Sequence, residues 1–360
     1  MKPKYYSLKR ILEYNANYNM IFGERSNGKT YSVLLHGLKD YVQTGRQLAI
    51  VRRWREDFTG KRGTAMFSAI VDNGEVSKLT KGEWTGIYYY ASKWFLSREG
   101  EEGKREVSED PIAYGFALSA QEHDKSTSYP RIGNVLFDEF ITRNQYLADE
   151  FVLFMNTLST IIRRRTDVKI FMLGNTVNRY CPYFSEMGIT HVKEMKQGDI
   201  DVYTYGESKL TVAVEYTPTE KKGKESNFYF AFDNPKLAMI TGGEWELDIY
   251  PHCPYKYKPK DVVFTYFVEF NSELLQCEIV KLDSISFTFV HRKTTELQSP
   301  GRDLIFSTKY SALPNWRRKI TTPVTDLEKR ILWYYKTDKV FFQDNEVGET
   351  MRNYLIWCNE

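Results

Sequence analysis

The sequence predicts an α/β protein, with a parallel sheet and crossover helices in its first part and a smaller α+β unit after it. Three observations carry that expectation. Short apolar runs alternate with helical patterns over the first half; the pattern becomes alternating and β-rich after Asp201; and 360 residues suffice for roughly two domains. In order, residues 18–22 read as a strand, and Val33, Leu34, Leu38, Tyr41 and Val42 recur at helical spacing until Gly45 stops the helix. Residues 47–51 (QLAIV) read as a second buried strand. From Thr59 to Pro111 the glycine-rich breaks and a polar run read as meander strands and loops decorating the sheet. Residues 134–137 (NVLF) and 169–173 (KIFML) are further buried strands. Between them Phe151, Phe154, Met155, Leu158, Ile161 and Ile162 form a helical stripe ending on Arg163, Arg164 and Arg165. The expected division is an α/β domain over 1–200, a linker or hairpin region over 201–250 containing the basic polar stretch 219–226, and a C-terminal domain over 251–360. In that last part, strands are expected at 262–270, 274–280 and 285–290 and helices near 325–335 and 346–358.

Composition narrows the function classes. Fifty basic against 47 acidic residues give a net charge of +3, so no global field drives the chain onto a polyanion, and any such partner must be held by local patches. No apolar run approaches the ~18 residues of a bilayer span. The opening Met1-Lys2-Pro3-Lys4-Tyr5-Tyr6 lacks a secretory pattern, so a cytoplasmic setting is expected. The cysteines, Cys181, Cys253, Cys277 and Cys358, are too far apart for a zinc ribbon and read as reduced structural thiols.

Gly23-Glu24-Arg25-Ser26-Asn27-Gly28-Lys29-Thr30 fits G-x-x-x-x-G-K-[ST], between a strand and a helix as such a loop requires. Its glycines let backbone N–H groups wrap phosphates at a helix N-terminus, Lys29 reaches the β and γ phosphates, and the Thr30 hydroxyl binds Mg²⁺. An apolar strand then ends in Asp138-Glu139, the first carboxylate suited to the Mg²⁺ shell and the second to a general base acting on water. Asn175, after the next strand, is placed to sense the γ-phosphate or orient the water. Arg52 and Arg53 end the second strand and can reach the nucleotide or Glu139. The run at 163–165 gains from the helix macrodipole alone, yet one of its arginines is the best candidate for a residue entering a neighbouring subunit's site.

Together GERSNGKT, IVRR, KSTSYP at 125–130, VLFDEF at 135–140, TIIRRR and LGNT resemble, in order and spacing, the DNA-packaging ATPase of phi29-like small podophages. The resemblance is clear over about residues 10–190, with weaker family segments at 230–234 and 341–357. Insertions at 60–110 and 251–261 lengthen the chain relative to the pattern. The resemblance implies an additional-strand (ASCE) P-loop ATPase domain that binds ATP and Mg²⁺, followed by a domain like a degenerate RNase H-like nuclease. It implies a homomeric ring, a pentamer, on the portal of the procapsid, driving double-stranded DNA inward from the host cytoplasm, with a structural RNA as an open question. It also maps the trans-acting lysine and arginine onto Lys125 and Arg163, and the arginine ending the second strand onto Arg53 or its neighbour Arg52. Nuclease activity is not expected, because Glu269 and Glu278 lack a supporting carboxylate cluster.

A motor that grips any sequence needs phosphate contacts. Lys61-Arg62, Lys221-Lys222 with Lys224, and Lys256, Lys258 and Lys260 are the available clusters, although each also reads as a solvated loop. Tyr88-Tyr89-Tyr90 reads more readily as strand packing than as base stacking. Two rivals stand beside packaging: another additional-strand translocase, such as a helicase or conjugative pump, and a non-hydrolysing nucleotide-gated binding protein. Glu139 argues against the second, since a passive switch needs no general base.

Overall fold

The computed structural model describes residues 5–123, 128–143, 146–178, 181–218, 245, 250–271, 273–293, 297, 299 and 301–359. The chain forms two compact units, Met1–Trp245 and Glu246–Glu360.

In the first unit the elements are α1 (Lys9–Leu12), β1 (Tyr18–Gly23), α2 (Lys29–Thr44), β2 (Gln47–Arg52), α3 (Lys61–Ala65), α4 (Ser68–Asp72), α5 (Glu75–Leu79), β3 (Gly86–Tyr90), β4 (Lys93–Glu99), β5 (Arg105–Val107), β6 (Ala113–Ala117), β7 (Ile132–Asp138), α6 (Glu150–Ile162), β8 (Lys169–Asn175), α7 (Pro182–Glu186), β9 (Ile200–Tyr205) and β10 (Leu210–Tyr216). They build one sheet in the order β3-β4-β6-β2-β7-β8-β1-β10-β9, with β5 on β4. From β6 to β10 every neighbour is parallel. The outer strands β4 and β9 join antiparallel. β8 lies between β1 and β7, the additional-strand arrangement, and brings three strand ends side by side.

The central strands are buried on both faces, which is why they read as continuous apolar runs. Successive residues nevertheless serve different layers. Met20, Phe22, Ala49, Val51, Val135 and Phe137 pack with Phe154, Leu158 and Ile161 of α6. Ile21, Leu48, Ile50, Leu136, Phe171 and Leu173 pack with Val33, Leu34 and Leu38 of α2. Helix α2 stops where Gly45 turns left-handed, φ +77°, and donates its N–H to the Tyr41 carbonyl.

Two expectations change. The stretch beginning at Thr59 is not all meander: α3, α4 and α5 occupy its first part and bury Phe67, Ile70 and Val76 against α2's side of the sheet. Each helix is five residues long and Gly74 separates the last two, so no segment gave a helical period long enough to read. The domain boundary also moves from residue 200 to 245. β10 pairs parallel with β1, Tyr18 opposite Val212 and Phe22 opposite Tyr216, so its β-rich pattern belongs to the first sheet rather than to a linker. Trp245 packs against Phe22 and Tyr216. The basic stretch 219–226 and the family segment 230–234 lie outside the described residues.

The second unit contains β11 (Val262–Phe270), β12 (Glu273–Leu282), β13 (Ile285–Arg292), β14 (Ile305–Ser307), β15 (Trp316–Arg317), α8 (Asp326–Lys336), β16 (Val340–Phe342) and α9 (Asn345–Asn359). β11, β12 and β13 form an antiparallel meander. Parallel strands extend it on both sides in the order β15-β14-β11-β12-β13-β16. A capping box opens α8: the Thr325 hydroxyl accepts from Glu328 N at 3.2 Å, and Glu328 accepts from Thr325 N at 3.4 Å. Among the described residues no helix is long and apolar enough to cross a membrane.

Candidate nucleotide site

β1 ends at Gly23, and α2 begins five residues after Glu24, its first N–H donating to Asn27 Oδ1 at 3.3 Å. Gly28 takes φ +90°, a conformation that costs glycine nothing, and turns the chain into the helix. At Gly23 the constraint is space, since a Cβ would collide with Thr217 Oγ1. The start of α2 and the loop before it therefore line one cleft of about 690 Å³, a helix N-terminus suited to an anion.

Lys29 is buried at the base of this cleft. Its Nζ donates to Glu24 O at 2.6 Å, Asn27 Oδ1 at 3.2 Å and Asn175 Oδ1 at 3.4 Å. Burial lowers its pKa to about 8 against the opposing pull of Asp138 and Glu24. An ammonium desolvated among neutral oxygens gains from an anion placed beside it, so the residues present fit a phosphate. They also fit a divalent cation. The Thr30 hydroxyl donates to Asp138 at 3.2 Å, pairing the hydroxyl and carboxylate that hold Mg²⁺ in P-loop enzymes. Burial pushes the Asp138 carboxyl up while Arg52 pulls it down.

The two arginines after β2 part company. Val51 lies opposite Phe137 in the β2–β7 register, so the next residues, Arg52 and Asp138, share the α2 face. Arg52 meets Asp138 Oδ2 at 3.1 Å and Glu139 Oε2 at 2.8 Å. Arg53 turns to the α6 face and forms a buried pair with Glu150, Nε to Oε2 at 2.6 Å. The resemblance mapped the site arginine onto Arg53 or its neighbour Arg52; the structure puts Arg52, not Arg53, on the site carboxylates, because neighbouring residues on a strand point to opposite faces. Glu139, just past β7, has φ +62°, and its side chain is 62% exposed in the cleft mouth.

Asn175 ends β8 opposite Gly23 and lines the cleft, as do Arg25, Ser26 and Asn27. The buried Glu24 supplies its carbonyl to Lys29. Arg163 does not join its own chain's cleft. It follows α6 with φ +53° and lies exposed, two residues before Arg165. Arg165 donates to the Pro130 and Ile132 carbonyls, at the start of β7, whereas Asp138 is at its end. Lys125 lies outside the described residues. In the second unit Glu269 accepts from Ser307 Oγ at 2.9 Å and pairs with Lys309, while Glu278 is engaged by Tyr257, Gln276 and His291. Glu278 pairs with Thr265, four residues from Glu269, which puts the two carboxylates ~13 Å apart along β11. Tyr89 packs on Trp94 and Tyr88 lies under Arg105, the packing role expected of that run.

Sequence reasoning missed Thr217 and Glu150. Thr217 Oγ1 accepts from Asn27 Nδ2 at 3.3 Å, and Asn27 in turn holds Lys29, so the end of β10 supports the phosphate loop. Neither residue sits in a motif; only the parallel pairing of β10 with β1 and the placement of α6 bring them in.

Residues 102–198 match the Podovirus DNA encapsidation protein (Gp16) family. The chain is 27% identical over 185 residues to the DNA packaging protein of Bacillus phage B103, covering 50% of each. It is 24% identical over 187 residues to that of Bacillus phage phi29, covering 51% of this chain and 50% of the other. The chain thus spans about half the length of the curated relatives it matches. Among solved structures, the Phi-28 gp11 DNA packaging motor superposes with a TM-score of 0.53 at 20% identity, covering 99% of this chain and 98% of that one. The bacteriophage Phi-29 viral genome packaging motor assembly gives 0.55 at 16%, covering 97% of each. These likenesses establish the fold.

Proposed function

We propose that this protein is an ATP-hydrolysing motor that drives double-stranded viral DNA into a preformed procapsid. The carrying observation is the convergence of Lys29, Thr30, Asp138, Glu139 and Asn175 in one cleft, at the ends of the adjacent strands β1, β8 and β7. The DNA-packaging proteins and motors it is similar to supply the substrate class.

In this reading the loop N–H groups and Lys29 hold the β and γ phosphates of ATP. Mg²⁺, held by Thr30 and Asp138, neutralises charge on the phosphate oxygens when bound. Asn175 orients the attacking water and Glu139 accepts its proton. Arg163 follows α6, two residues before Arg165, which binds the start of β7 rather than the end where Asp138 lies; in this reading its guanidinium serves a neighbouring subunit's site, as Lys125 does, which makes the ring part of the catalyst. The working form is a pentamer at the portal, reached directly or through a structural RNA, in the host cytoplasm and transiently on the procapsid. DNA is gripped without sequence preference by exposed basic clusters such as Lys61-Arg62, at the start of α3, and Lys256, Lys258 and Lys260. The second domain docks and does not cut.

The test is the ATPase rate of the purified chain with and without double-stranded DNA and procapsids, beside Glu139→Gln. Stimulation by DNA of any sequence, lost in Glu139→Gln while ATP still binds, is expected. ATP binding without turnover even with procapsids present would overturn the motor reading.

A further inference from the structure

The residue read as the general base sits in a conformation it does not prefer. Glu139 has φ +62°, a left-handed backbone that non-glycine residues rarely adopt and that persists only where the surroundings impose it. What imposes it is visible. Arg53 NH1 donates to the Glu139 carbonyl at 3.2 Å, and NH2 donates to the Phe140 carbonyl at 3.3 Å. On the other side Phe140 N donates to Leu173 O of β8 at 3.0 Å, so the turn is pinned from both flanks.

The guanidinium is itself immobile. Glu150 receives Arg53 Nε on Oε2 at 2.6 Å and NH2 on Oε1 at 2.8 Å, a two-pronged pair. Each oxygen has a second donor: Leu147 N reaches Oε2 at 2.8 Å and the Tyr183 hydroxyl reaches Oε1 at 2.9 Å. The Tyr146 ring covers the guanidinium, 5.1 Å from carbon to centroid. Both charged residues are buried. A buried ion pair does not by itself stabilise a core better than apolar residues of the same volume, so stability alone gives no reason for this one. Its geometry does: beyond the two bonds to Glu150, Arg53 donates to the two carbonyls of the turn that carries Glu139.

We propose that Arg53 and Glu150 are the positioning pair for Glu139, fixing the main chain at 139–140 so that the carboxylate is presented to the attacking water. Neither residue touches the reacting atoms. Arg52 holds the side chain of Glu139 from the α2 face, while Arg53 holds its backbone from the α6 face. The proposal rests on the reading of Glu139 as the base.

The experiment compares steady-state ATP hydrolysis and thermal melting of the full chain in four forms: wild type, Glu139→Gln, Glu150→Gln and the paired apolar replacement Arg53→Met with Glu150→Leu. The paired variant leaves no buried charge unpartnered but removes the partners of Leu147 N, the Tyr183 hydroxyl and the two turn carbonyls, so it still folds with a melting temperature several degrees below that of wild type. Its kcat falls by about ten- to a hundredfold, the range expected from a small misplacement of a reacting group, with KM for ATP unchanged within about twofold. Glu150→Gln, which keeps the shape and loses the charge, shows a smaller fall in kcat with the same unchanged KM. A paired variant that folds and turns over at the wild-type rate overturns the positioning role. Glu139→Gln turning over like wild type overturns the base reading itself, and the brace with it.

Discussion

The contact between Gly23 and Thr217 is a quantitative test of how the phosphate loop is held. A methyl at Gly23 collides with the Thr217 hydroxyl and lies 3.2 Å from its Cβ. Thr217 cannot yield: it is fully buried, and its N–H donates to Phe22 O at 2.9 Å. Overpacking of this kind costs about 1–3 kcal/mol, and the backbone at φ +150° adds ~1 kcal/mol for an alanine, so Gly23→Ala is expected to lose about 2–4 kcal/mol. Thr217→Ala alone loses its bond from Asn27 and one methyl, about 1–2 kcal/mol. Combined, the two do not add. Removing the hydroxyl clears the space the new methyl needs, and a coupling of about 1–3 kcal/mol in the restoring direction is expected. Urea unfolding of wild type, both single variants and the double variant measures it, with ATP affinity followed in parallel. A double variant whose loss equals the sum of the singles within ~0.5 kcal/mol would show that the two residues do not meet.

Three further outcomes follow from the geometry. Arg163→Ala is expected to bind ATP like wild type but not hydrolyse it, and mixing it with Lys29→Ala subunits should restore partial activity; mixtures that assemble yet stay inactive would refute a shared site. Arg165→Ala should instead lower stability by about 1–3 kcal/mol, because the Pro130 and Ile132 carbonyls lose their donor, and a variant that melts like wild type would contradict that role. In the second unit, His291, Tyr257 and Gln276 lower the Glu278 carboxyl to about 2, while Glu278 raises His291. The stability difference between wild type and Glu278→Gln, about 1–2 kcal/mol after solvent screening, should be full near pH 5–6. It should shrink as pH falls from ~4.5 toward 2 and again as pH rises through the elevated pKa of His291. A difference that does not change with pH would refute the network.

How far the sequence carried depended on distance along the chain. The phosphate loop, the acidic pair and the strands beneath them were legible because each is local: glycines at a turn, a lysine at a helix start, an apolar run ending in carboxylates. The helices of the second unit, expected near 325–335 and 346–358, run over Asp326–Lys336 and Asn345–Asn359. What failed was register. Choosing between Arg52 and Arg53 requires knowing that Val51 lies opposite Phe137, a pairing between residues 86 apart in number for which no local signal exists. Thr217 and Glu150 are invisible for the same reason, one delivered by β10 and the other by α6. The short helices α3, α4 and α5 were hidden differently, since five-residue segments are too brief to show a period.

The position of β10 also sets an order of events in synthesis. β1, which carries the phosphate loop, is flanked by β8 and β10, and the bond from Asn27 to Thr217 spans 190 residues. A ribosome that has made the loop has therefore not yet made its support. Until residues near 217 have emerged, one side of β1 is a bare row of amides and carbonyls, open to pairing with any passing strand, and the loop's asparagine lacks its Thr217 partner. The first unit is thus closed from its far end: the strand that carries the phosphate loop is among the first made and among the last completed.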